Sequence, residues 1–62
     1  MATIDWVTDA RRAELARLKS YFPFRIIYGA IHPETAEWRT GAVTTMREPN
    51  RLAREGWKVV RA

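Results

Sequence analysis

Arginines at positions 47, 51 and 54 recur at the i, i+4, i+7 spacing that lines one side of a helix, and Lys58 follows just beyond them. A guanidinium group presents a planar fork that grips phosphate or carboxylate at two points and stacks on aromatic rings. Tyr28 and Trp38 supply flat surfaces upstream and Trp57 another downstream, and Arg39 adds a further fork. Tyr28, Trp38, Arg39, Arg47, Arg51, Arg54 and Lys58 are therefore the candidate partner-binding residues. The pattern fits two ligand classes, an acidic protein surface and a nucleic acid or nucleotide. The same pattern also describes a solvated charged face with buried tryptophans. The ridge is short and Glu48 and Glu55 interrupt it, which favours a folded acidic partner over a continuous polyanion.

Catalytic chemistry has few candidate residues. Cysteine is absent, His32 is the sole histidine and Ser20 the sole serine, and no glycine-rich phosphate loop occurs. Thiolate and multi-histidine metal sites are excluded on composition, and no cofactor is expected. His32 stands at the end of an apolar run, where it reads as a solvated turn residue. Glu34 and Glu37 flank it in a polar loop that offers no burial to shift a carboxylate towards acid–base work. The expectation is a protein that is not an enzyme. Arg11 and Glu14 fall inside the apolar stripe of the first helical segment, three residues apart. They read as an ion pair at the edge of that stripe, or as a polar contact with a partner.

The elements that must position these residues follow from punctuation and periodicity. Residues 8–21 predict a helix with Thr8 as N-cap and Asp9 in its first turn. Val7, Ala10, Leu15, Leu18, Tyr21 and Phe22 share one side of it. Pro23 ends the helix. Residues 24–32 and 38–47 predict a strand pair joined by the loop after Pro33. With residue 32 opposite 37, Phe24, Ile26, Tyr28 and Ala30 share a face with Val43 and Thr45. Ile27, Ile31, Trp38, Ala42, Thr44 and Met46 share the other. Gly29 and Gly41 inside the strands mark bulges or close backbone approach. Pro49 suits the first position of a second helix, and Gly56 the left-handed residue that closes it in a Schellman turn. That turn brings Leu52 against Trp57 and returns residues 57–61 as a third strand. The expected fold is α+β in the order α-β-β-α-β. It is a three-stranded antiparallel sheet with the N-terminal helix on one face and a short helix before the last strand, all in one domain, 1–62.

The stretch PNRLAREGWKVV, residues 49–60, resembles the end of a family of small β-β-α-β domains. They finish with asparagine, leucine, a glutamate–glycine–tryptophan triplet and an apolar strand. Asn50, Leu52, Glu55, Gly56, Trp57, Val59 and Val60 carry the likeness. The resemblance implies a topology and assigns no activity.

Sixty-two residues lie near the lower limit for a domain without disulfide or metal, yet 47% are hydrophobic and seven are aromatic, a globular composition. The net charge is +4, and residues 47–62 hold most of the excess, five basic side chains against two acidic. No apolar run approaches the roughly 20 residues that span a bilayer. The first residues are acidic and polar before they are basic, unlike a secretion signal. A cytoplasmic protein without membrane association is expected. Because one helix cannot cover two apolar sheet faces, a homodimer is expected too. The leading functional expectation is a small binding protein that modulates or inhibits a larger protein complex, as phage-encoded modulators of host machinery do. The alternatives are nucleic-acid binding through the basic segment and a homo-oligomer that sequesters a small phosphorylated ligand.

Overall fold

A computed structural model describes residues 6–62 of the chain. In order they form α1 (Asp9–Tyr21), β1 (Ile26–Ile31), β2 (Trp38–Val43), α2 (Arg47–Arg54) and β3 (Lys58–Arg61). The α+β class and the α-β-β-α-β order are as expected. The sheet is antiparallel with strand order β2-β1-β3. β2 and β3 therefore run parallel to each other on either side of β1, and α2 crosses from one edge to the other.

Thr8 caps α1, its hydroxyl accepting the Arg11 amide at 3.2 Å. The expected strand register is also present, with Ile26 opposite Val43 and Ile31 opposite Trp38. β2 stops at Val43, four residues short of the expected end, because α2 begins at Arg47 rather than Pro49. Pro49 thus occupies the third helical position. The first N–H groups of a helix have no intrahelical acceptor, so a residue without an N–H is harmless there. The first full-turn bond of α2 runs from the Asn50 amide to the Met46 carbonyl at 2.9 Å.

Pleating divides the sheet residues between two faces, and each face has its own helix. Tyr28, Ala30 and Leu52 of α2 form one buried cluster, with Val43, Trp57 and Val59 packed around it. Ile27 and Ile31 point the other way, towards α1 and its buried Leu15. The expectation that one face lacks cover is therefore corrected: α2 closes it. Covering the sheet does not require a second copy of the chain.

Gly29 and Gly41 mark close approach rather than bulges, since the register runs through both without interruption. The Trp38 indole lies diagonally across Gly29 on the α1 face. The Tyr28 ring lies across Gly41 on the α2 face. A methyl group at either glycine would occupy ring space.

The first helix departs from its expected stripe. Tyr21 is 72% exposed, Phe22 43% and Phe24 100%. Residues 22–25 turn the chain into β1, the Arg25 amide donating to the Phe22 carbonyl at 3.1 Å. Phe24 consequently precedes the strand that was expected to include it.

Gly56 has φ +96°. The Trp57 amide donates to the Leu52 carbonyl at 3.0 Å and the Gly56 amide to the Ala53 carbonyl at 3.1 Å, the two bonds of a Schellman turn. A Cβ at Gly56 would have no atom within 4 Å, so Gly56→Ala isolates the cost of the left-handed backbone. That cost is about 1 kcal/mol, and the expected result is a melting temperature lower by roughly 4–8 °C. Gly29→Ala should lower it further, because the Trp38 ring must also move. Thermal unfolding followed by circular dichroism checks both.

Candidate binding surfaces

The arginines of α2 point away from the core. At about 100° per residue, Arg47, Arg51 and Arg54 lie within roughly 60° of one another on the helix wheel. Pro49 and the 1%-exposed Leu52 fall on the opposite side. All three arginines are exposed, as is Lys58. Arg51 pairs with Glu48 one turn earlier, and this contact raises its pKa above the ordinary guanidinium value. Among the described residues, Arg47, Arg54 and Lys58 have no carboxylate oxygen within 4.0 Å. The three arginines thus share one side of α2 as their spacing predicts, whereas Lys58, opposite Ile31, lies on the α1 face of the sheet and does not join them.

The aromatic members of the expected set do not join it. Tyr28 is 6% exposed and packs beneath α2, so it offers no flat surface to a ligand. Its burial raises the phenol pKa above 10.0, with Glu48 adding to the effect and Arg39 and Arg51 opposing it. Trp38 is half-buried on the other side of the sheet, where α1 holds it. Its Nε1–H donates to Glu14 Oε1 at 3.1 Å, and the Thr40 hydroxyl donates to Glu14 Oε2 at 3.3 Å. The Arg11 guanidinium sits 5.2 Å from the Trp38 ring centroid, and the Trp6 ring lies 6.5 Å away at 59°. Arg11 and Glu14 therefore form neither the expected ion pair with each other nor a free contact. Arg11 donates instead to the Trp6 carbonyl at 2.6 Å, and Glu14 ties the helix to the sheet.

Arg39 belongs to a third grouping, on the α2 side of the sheet. Its guanidinium stacks 4.8 Å from the centroid of Trp57 and its Nε meets Glu37 at 3.3 Å. His32 approaches Trp57 edge-on, with centroids 5.1 Å apart at 87°. The His32 Nδ1 accepts the Glu34 amide at 3.2 Å and the Thr35 amide at 3.4 Å. His32 is thus half-buried and shapes its loop, rather than standing free in solvent. The sequence carried no sign of this stack, which depends on β3 returning beside β1.

Among the described residues, no group of three or more His, Asp or Glu side chains is placed to hold a metal ion, and no helix is long and apolar enough to cross a membrane. No protein-family model, curated protein or solved structure matches this chain. The resemblance noted for residues 49–60 rests on those residues alone.

Two measurements follow from the buried contacts. Glu14→Ala removes the acceptor for both the Trp38 indole and the Thr40 hydroxyl, and should cost about 1–3 kcal/mol. Glu14→Gln keeps one carbonyl acceptor and should recover part of that loss, read as the shift in urea midpoint. A raised Tyr28 pKa makes stability complete below pH 10 and weaker as pH climbs beyond it, since only the unfolded chain then ionises readily. Tyr28→Phe should flatten this alkaline decline in urea titrations between pH 9 and pH 11.

Proposed function

We propose that this chain is a non-enzymatic binding module whose α2 ridge engages an acidic surface on a partner protein, as an adaptor or inhibitor of a larger complex. The observation that supports the reading is the separation of duties within α2. Leu52 and Pro49 hold the helix to the sheet, while Arg47, Arg51 and Arg54 stand in solvent on the opposite side. Charges that contribute nothing to the core are free to steer association and to set specificity. Lys58, opposite Ile31 on the α1 face of the sheet, stands apart from the ridge.

The test is the triple variant Arg47→Ala, Arg51→Ala, Arg54→Ala, first checked for an unchanged melting temperature. Native and variant chains are immobilised and used to capture partners from host lysate, with and without nuclease. Both are also titrated with duplex DNA and single-stranded RNA at two salt concentrations. The expected outcome is a protein partner that survives nuclease and is lost with the variant. Salt should then act chiefly on its association rate. Tight DNA binding by the native chain, with a log–log salt slope of about −3 that the variant abolishes, would make nucleic acid the ligand instead.

A further inference from the structure

The corner between α1 and β1 exposes the large apolar side chains Tyr21, Phe22 and Phe24 together. Phe24 is 100% exposed and takes no part in the packing of its own chain. The corner is nevertheless well ordered by its backbone. The Phe22 amide donates to the Leu18 carbonyl at 2.9 Å, and the Arg25 amide to the Phe22 carbonyl at 3.1 Å. The second bond closes a four-residue turn with Pro23 in its second position and Phe24 in its third. Proline fixes the backbone at the turn, so Phe24 is presented at a small entropic cost.

The surroundings are basic. The Arg25 guanidinium lies 5.9 Å from the Phe22 ring centroid. β1 begins at Ile26 opposite Val43, the last residue of β2, so Arg25 and the segment that leads to Arg47 leave the same end of the sheet. Arg61 lies opposite Tyr28 near the same end of the sheet. Arg25, Arg47 and Arg61 thus share the sheet end from which the aromatic corner projects.

We propose that this proline-locked corner is the apolar anchor of the interface: Phe24 enters an aliphatic pocket on the partner protein, and Arg25 and Arg47 meet carboxylates on the rim of that pocket. The inference rests on the protein-binding reading above and assigns its hot spot. A pre-organised aromatic knob flanked by arginine has the composition of such anchors. Arg47 opens the α2 ridge at the sheet end that the corner adjoins. A base-stacking platform fits less well, because the rings project from a convex turn and Arg25 already lies over Phe22. A symmetric contact with a second copy would set Arg25 and Arg47 against their own counterparts.

Phe24→Ala tests the proposal without disturbing the core, and its melting temperature should equal that of the native chain. Twelve-residue peptides are selected from a random display library on the immobilised native chain, then measured in solution by fluorescence anisotropy. The expected peptides combine Asp or Glu with a large aliphatic or aromatic residue and bind Phe24→Ala about thirtyfold more weakly, the scale of a hot-spot truncation. Peptides that are acidic only, weakened by the triple arginine substitution but indifferent to Phe24→Ala, would uphold the acidic-partner reading and overturn the anchor. A selection with no Phe24-dependent peptide would overturn it as well. So would Phe24-dependent binding to phosphatidylserine vesicles or oligo-dT in place of peptide, or a dimer in sedimentation equilibrium that Phe24→Ala dissolves.

Discussion

Ile27 and Ala30 lie on opposite faces of β1, and neither exposes any surface to solvent. A strand sealed on both sides needs an apolar layer above and another below, and a short chain has few ways to supply two. This chain does so by placing α1 against one face and passing α2 over the other on its way from β2 to β3. The arrangement makes β1 the central strand and leaves β2 and β3 as edges. It also explains the two glycines. With only six residues per long strand, the sheet gains apolar volume by laying Trp38 over Gly29 and Tyr28 over Gly41, one ring on each face. Side chains at those glycines would displace the rings that fill the layers.

Local signals carried the fold far. Thr8, Pro23 and Gly56 each mark a boundary through backbone chemistry that acts within a few residues, and each stands within two residues of the end it marks. The register of β1 against β2 was legible from the loop, since placing residue 32 opposite 37 at its two ends fixes every pair that follows, Ile26 with Val43 included. What escaped was non-local. Pro49 reads as a helix start, yet a first turn tolerates proline at several positions, and local chemistry does not choose among them. That α2 folds back over Tyr28 depends on where β3 pairs, so the cover on the second face was not visible. Tyr28 therefore read as exposed when it is core. Phe24 read as strand because its type favours strands, whereas the turn closed by Phe22 and Arg25 ends before β1 begins.

The candidate site divides in the same way. Helical spacing alone placed Arg47, Arg51 and Arg54 on one side of α2. The ring partners of Arg39 and Arg11 and the donors to Glu14 depend on tertiary approach, and the i,i+3 spacing of Arg11 and Glu14 suggested an ion pair that does not form. Glu14 gave one warning: a carboxylate within an apolar stripe needs a hydrogen-bond donor, and the half-buried indole of Trp38 provides it. The resulting molecule keeps structural polarity and outward polarity apart. Glu14, Thr40 and Trp38 join layers, whereas the α2 arginines and Phe24 stand in solvent.

The order of strands also has a kinetic side. β1 and β2 are joined by a short loop, and such a hairpin closes in microseconds. Ala30, however, must pair with Arg39 on one side and with Val59 on the other, and the second partner arrives only after the whole of α2 has intervened. Closing that larger loop costs more chain entropy than closing the hairpin. Capture of β3 is therefore the slower event, and it also seals the cluster around Leu52. The left-handed turn at Gly56 shortens the search, since it aims the chain back along the sheet as soon as the helix forms.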